Sequence, residues 1–479
     1  MAQLSADCLN EVFEYLEDDM INLHSCLLVN HLWCNVSVRI FWRNSRNYKT
    51  SNLRTLIACL PNESKEILNN NEIIISTPTS KPPMFNYASF CKSLLICKVD
   101  KLLRTLLLND KFNKKSDNLS NNMLILTQEI IKLFFNQIGS LKKLKLWEYP
   151  KKINFYHGAK ACLKNLSELR CMSNFSPEFF YQLSQICHNI SLLNITIEKF
   201  ISKELIDLTS AQKNLQSFKM TQYSEPINLN SLNSLIEKLP NTLIKLNLIL
   251  RNHISLLFIA RFTNLQELNF CYSDDYDFID FEKLQNAIFP NLQILNIQGS
   301  CPNLKSLIKF LENNGNNLKE CYIGDETYYI HEDSLNLTIA KFCPNLRKLS
   351  VWFQDNELET MKIIFNNCQY LESITVWCGY CILSDKEVLE LVVKYSHKNF
   401  YEIIFNYVGQ YLETETELLP EELESFLINW TNRVPQKSLS FVIRNLINIS
   451  YGIDGDDNMK IINKYIELGV IKRFKVSYY

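Results

Sequence analysis

The sequence predicts an α/β fold in two parts: three short helices over residues 1–45, then a right-handed solenoid of repeated strand–helix units reaching residue 479. Three observations point there. One eight-residue phrase recurs along the chain at near-constant spacing. Helical stretches fill the gaps between its copies. The first 45 residues carry large apolar side chains at helical spacing, unlike anything after them.

In the opening stretch Leu9, Val12, Phe13 and Leu16 fall at i, i+3, i+4 and i+7, on one face of a helix, with Glu11, Glu14 and Tyr15 elsewhere. Ser5 is placed to cap this helix, and Asp7 sits in its first turn, where negative charge suits the helix dipole. Cys8 stands where a capping-box Glu would be. "LEDDM" ends the pattern. A second helix is expected from about Ile21 with Leu23, Leu27 and Leu28, and a third carries Trp33, Val36 and Ile40 and ends near Phe41-Trp42. Three short helices cannot enclose so many large side chains by themselves. Each one fully buried is worth roughly 1.5–3 kcal/mol, so either a partner groove or the following domain must cover the rest.

Residues 46–90 read as a linker with a possible helix in "LRTLIACLPNESKEILNN", broken by Pro82-Pro83. The polar stretch "NDKFNKKSDNLSNN" at 109–122 reads as an exposed loop. The solenoid is expected over 91–479, with "CKSLLICKV" as its first strand. The phrase reads "SLKKLKLW" at 140, "NLSELRCM" at 165, "NISLLNIT" at 189, "NLQSFKMT" at 214 and "TLIKLNLI" at 242. It continues as "NLQELNFC" at 264, "NLQILNIQ" at 291, "NLKECYIG" at 317, "NLRKLSVW" at 345, "YLESITVW" at 370 and "NFYEIIFN" at 399. The mean spacing is about 26 residues, inside the 20–29 range of leucine-rich repeats and too short for helical-pair arrays or a closed barrel. Counted from its first apolar residue, each phrase is apolar at positions one, four and six, the last two giving the period of a short strand. Departures occur: Phe218, Cys321 and Ile374 replace the fourth-position Leu. After residue 400 the repeat stretches, and "PEELESFLINW" with "SLSFVI", then "NMKIINKYIEL" with "IKRFKVSYY", read as two irregular units, the last capping one end.

Residues Leu4 to Asn44 resemble an F-box. Leu4-Ser-Ala-Asp7-Cys-Leu9 matches its opening, Val12-Phe13 and Leu16 follow, Leu23 leads through Leu28-Val29 to Trp33, and Phe41-Trp42 closes it. Ser5 stands where that family usually has Pro. The resemblance covers under a tenth of the chain. It implies docking on the Skp adaptor of an SCF-type ubiquitin ligase, and through it on cullin. Leu4, Leu9, Val12, Phe13, Leu16, Leu28 and Trp33 are then the adaptor-binding candidates, although sequence does not separate residues that build the module from residues that touch a partner. "FCPNLRKLSV" and "CPNLKSL" resemble the cysteine-containing leucine-rich repeats common behind F-boxes. Together these resemblances imply a substrate-recognition subunit that is not itself an enzyme and presents a protein substrate by proximity.

Positions three, five and seven of each phrase face away from the core. Position seven holds Trp147, Trp352 and Trp377, with Tyr322, Lys348 and Thr375 nearby. Adjacent exposed tryptophans are typical binding hot spots, so Tyr322, Lys348, Trp352 and Trp377 are expected to bind substrate. The alternative is that the tryptophans pack on each other or under a loop.

Composition narrows the function classes. With 50 Lys+Arg against 51 Asp+Glu and a formal net charge of −1, the chain does not read as a general nucleic-acid binder. Its 10 glycines disfavour phosphate loops. No secretory leader and no membrane span are evident, so the 16 cysteines read as reduced thiols and the location as cytoplasmic or nuclear. Cys378-Gly-Tyr-Cys381 has redox spacing but lacks the two further ligands a zinc site needs. The run from Asp454 to Asn458 fails as a calcium loop, with Met459 where Gly is required and Tyr465 where Glu is required. "YSDDY" at 272–276 reads as a solvated acidic loop. No cofactor or metal is expected. Two other readings remain open: a scaffold whose helical module only caps the solenoid, and a redox enzyme using Cys378.

Overall fold

The computed structural model describes residues 4–77, 83–109, 119–147, 157–223, 228–251, 254–272, 281–299, 302–324, 334–354, 356–378, 384–407, 418–433, 437–445 and 456–478. The chain divides into two compact units, Met1–Thr242 and Leu243–Tyr479.

The first unit opens with three helices, α1 (Ala6–Glu14), α2 (Met20–Cys26) and α3 (His31–Phe41). Each has a side-chain cap at its start: Ser5, Asp19 and Asn30 accept from the backbone N–H of Cys8, Asn22 and Trp33. Leu9, Phe13, Leu23, Cys26, Val36 and Ile40 form the buried core, with Leu16, Leu32, Trp33 and Phe41 packed against it. Trp33 meets Phe13 edge-on at 5.0 Å. Arg43 donates to both carboxylate oxygens of Glu14, at 2.5 and 2.6 Å, and ties the end of α3 to that of α1.

Residues 46–90 hold two helices, α4 (Thr50–Ala58) and α5 (Asn62–Asn70). Neither hangs free. Leu53, Leu56 and Ile57 of α4 are buried, and the Ser64 hydroxyl of α5 donates to Glu129 at 2.5 Å. The chain just after the N-terminal helices also pairs with the first strand, β1 (Ser93–Leu95). The Arg43 carbonyl accepts from Lys92 and Ser93, Asn44 forms a parallel bridge with Ser93, and the Ser45 hydroxyl accepts from Leu95. The module is therefore built into the repeat sheet.

Beyond β1 come α6 (Ile96–Asn109), α7 (Leu119–Gln137) and strands β2 (Lys143–Lys145), β3 (Glu168–Met172), β4 (Leu192–Ile197) and β5 (Ser217–Gln222). The expected loop at 109–122 lies largely outside the described residues, but its last four positions begin α7. Strands β1 to β5 pair in parallel and in sequence order.

The second unit holds β6 (Lys245–Leu250), β7 (Glu267–Tyr272), β8 (Ile294–Gln298), β9 (Glu320–Ile323), β10 (Lys348–Val351) and β11 (Ser373–Cys378). It continues with β12 (Glu402–Tyr407), β13 (Leu439–Asn445) and β14 (Ile471–Tyr478), again parallel and in sequence order. Every recurring phrase forms a strand, and both irregular units after residue 400 contribute one. Leu246, Leu268, Leu295, Cys321, Leu349, Ile374, Ile403 and Phe441 are register partners along one buried row. Cys321 and Ile374 thus fill the leucine slot as a small and a branched apolar group, and Phe218 fills it with a large aromatic ring beside Leu193 in the first unit. This strand–helix arrangement is that of leucine-rich repeats. Two repeats of the second unit carry 3-10 turns, Leu256–Arg261 and Phe281–Leu284, in place of the expected helix. The first falls in the shortest interval between phrases, where a 3-10 turn, which rises more per residue than an α-helix, covers the return with fewer residues.

Buried amides close the loops that lead into strands. The Asn314 carbonyl oxygen accepts from Phe289 N–H at 2.7 Å, and its amide nitrogen donates to Ala287 and Phe310 carbonyls at 2.9 and 3.0 Å. Gln212 does the same for Ile190 and Cys187. Asn314→Leu keeps the volume but orphans buried backbone groups, so it should destabilise the second unit by about 2–4 kcal/mol, read as a lower urea midpoint.

Candidate functional site

Two surfaces hold the residues singled out from sequence. On the N-terminal module the structure separates builders from exposed groups. Leu9 (1% exposed) and Phe13 (2%) lie in the core, which corrects their assignment as adaptor contacts: helix packing inside the module has already consumed them. Leu16 and Trp33 are partly covered by the same core. Leu4, Val12 (53%) and Leu28 (77%) face outward, joined by Tyr15, Ile21 and Val29. Helix α2 ends at Cys26, so Leu28 and Val29 sit in the turn before α3 and cannot reach the core. A groove of about 720 Å³ opens beside them, lined by Ile21, Leu28, Phe41 and Thr55, and by Met84 and Phe85 from the former linker. This concentration of exposed apolar side chains on one small module is an unfinished surface.

The second set of residues lies, in each unit by itself, on the sheet face turned away from the core. Its position-three residues form ion pairs between neighbouring strands. Glu168 is within 3.6 Å of Lys143, 3.4 Å of Lys145 and 2.7 Å of Arg170. Burial raises the Glu168 pKa, but the Arg170 hydrogen bond and the three cations more than offset it, leaving the carboxyl below its ordinary value. Its charged form therefore stabilises the fold above the usual carboxylate range, and that contribution is lost as pH falls through the depressed value. Glu168→Gln should accordingly lower the melting temperature at pH 7 and flatten its decline between about pH 5 and pH 3.

In the second unit Lys245 pairs with Glu267 at 2.7 Å and Lys348 with Glu320 at 3.0 Å. Glu402 accepts from Ser373 at 2.8 Å and from Ser440 at 2.9 Å. The four residues expected to bind substrate come together on β9 to β11 and the turns after them, but not as imagined. Tyr322 donates to Glu320 at 2.8 Å, so it and Lys348 share one carboxylate. Burial and that carboxylate both push the Tyr322 phenol up, while the Glu320 bond raises the Lys348 pKa.

Trp352 and Trp377 (8% exposed) are buried, not exposed: their rings stack at 5.1 Å and 13°. Trp352 also lies over Gly324, whose φ of 94° and contact with the indole leave no space for a Cβ, which would sit 2.7 Å from the ring. Trp377 has Asn406 as its register partner on β12. The Trp377 Nε1 donor and the Asn406 Oδ1 acceptor are both buried, and neither meets a hydrogen-bond partner among the described residues. Thr375 is buried too, and Trp147 is half-buried. Sequence reasoning missed Glu320, Glu402 and Asn406. The recurrence of Glu at position three, in Glu168, Glu267, Glu320 and Glu402, was the available signal.

Buried thiols such as Cys171, Cys187, Cys321 and Cys368 are pushed up to about 12 by burial. Cys381 and the side chain of Cys378 lie outside the described residues, as do Pro82, Asp454, Gly455 and residues 273–276 of the acidic loop. Among the described residues no helix is long and apolar enough to cross a membrane, and no cluster of metal-ligating side chains occurs.

No protein-family model matches the sequence, and no curated protein matches it. Among similar solved structures is the leucine-rich repeat-containing protein LegL7 from Legionella pneumophila, at 14% identity and a TM-score of 0.33, covering 56% of this chain and 93% of that one. Another is an internalin, InlF, from Listeria monocytogenes, at 14% identity and a TM-score of 0.33, covering 80% of this chain and 89% of that one. At this similarity the repeat architecture rests on the strand order and register described above.

Proposed function

We propose that the chain is a non-catalytic substrate-recognition subunit of an SCF-type ubiquitin ligase. The N-terminal module docks on the Skp adaptor, and through it on cullin, while the repeats hold a protein substrate. The observation that carries this reading is the exposed set Leu4, Val12, Leu28 and Val29, set on a closed core of Leu9, Phe13 and Leu23. A small module with a completed interior and an apolar exterior gains most by covering that exterior with a partner. The F-box resemblance names the partner.

The test is co-purification of the full chain with the Skp adaptor. A stable complex that requires residues 1–45 supports the proposal. A parent chain that stays alone sinks it and leaves the second reading, a repeat scaffold whose helical module serves as a cap. That reading has its own support in the bridge between Asn44 and Ser93.

A further inference from the structure

The outward row of position-three residues runs Glu320, Lys348, Ser373, Glu402, Ser440 and Arg473 across β9 to β14. Up to Ser440 each charged member has a partner on this face. At Arg473 the carboxylates run out. Here a cavity of about 720 Å³ is lined by Tyr401, Glu402, Lys437, Ser438, Ser440, Lys472 and Arg473.

Three cations face this cavity with one carboxylate, and that carboxylate already accepts from two hydroxyls, those of Ser373 and Ser440. Lys437 donates to the Asn399 carbonyl at 3.3 Å, lies 5.9 Å from the Tyr401 ring and has no carboxylate partner among the described residues. Lys472 and Arg473 take part in no ion pair among the described residues. A backbone irregularity brings them together. The register slips between Leu439, opposite Ile471, and Ser440, opposite Arg473, so Lys472 is an extra residue on β14. In a regular strand neighbours point to opposite faces; a bulge re-aims one of them. Both cations therefore line one cavity.

We propose that this cavity binds a phosphate monoester, carried on a phosphorylated side chain or on a small free ester. Two positive charges in excess match a phosphoryl dianion, with Arg473 able to donate a planar pair of N–H groups and Lys437 and Lys472 acting as point charges. The phosphorylated-side-chain form rests on the substrate-recognition reading above; the anion site itself does not.

The experiment titrates the full chain calorimetrically with an acetylated Ala-Ala-phosphoserine-Ala-Ala peptide, the same peptide bearing Ser or Asp, and glycerol 3-phosphate. Saturable binding of the phosphopeptide or of glycerol 3-phosphate supports the proposal and names the source. It should weaken at least tenfold in Lys472→Ala/Arg473→Ala and return largely in Lys472→Arg. Both residues are exposed, so the melting temperature should not move. Equal affinity for the Asp peptide, binding that ignores the double variant, or no binding of either phosphate probe overturns it. Adaptor capture measured on the same preparation keeps the two proposals separate, since loss of one leaves the other standing.

Discussion

Val12→Asp/Leu28→Asp is expected to abolish co-purification with the Skp adaptor while leaving the helical content and melting temperature of the chain unchanged. Both side chains are more than half exposed, so charge at these sites meets water in the free protein and costs little. In a complex the same carboxylates would be buried against an apolar partner without counter-ions, which costs several kcal/mol each and is enough to lower affinity more than a thousandfold. Leu9→Asp is the contrasting variant. Leu9 is enclosed by the module core, so an ionised group there unfolds the module, and lost capture is accompanied by lost helical signal. Equal adaptor capture by the Val12/Leu28 variant and the parent would remove this face from the docking surface.

Trp377→Ala should destabilise the second unit by about 3–5 kcal/mol, the usual consequence of emptying a buried indole site. The ring is covered on one face by Trp352, and its loss also exposes that partner. Trp377→Phe separates packing from hydrogen bonding. Phenylalanine keeps the stacking surface and removes the buried Nε1 donor, which meets no partner among the described residues. Its cost should therefore be under about 1.5 kcal/mol despite the smaller ring. Thermal melts of the three proteins decide this. Destabilisation by Phe as large as by Ala would show that the nitrogen, not the ring, matters.

Much of this fold is written in the local periodicity of the sequence. The repeat spacing, the strand inside every phrase and the three opening helices were legible because they follow from local periodicity: apolar residues two apart make a strand face, and residues three and four apart make a helix face. The Ser5 cap was legible for the same reason. Substitutions such as Cys321 for Leu did not hide the pattern, because the slot demands an apolar group and tolerates its shape.

What the tertiary structure alone decided is which members of a face are covered, and by what. Leu9 and Val12 belong to one helical stripe, yet α2 and α3 close over the first and leave the second in water. Trp352 and Trp377 alternate outward as the strand period requires, but their burial depends on the neighbouring strand's register and on Gly324 beneath. Arg473 and Lys472 share a cavity only because β14 gains a residue against β13. Periodicity orients a side chain relative to its own backbone. Exposure and pairing depend on a second segment, distant in sequence, whose placement arises only when the chain has folded.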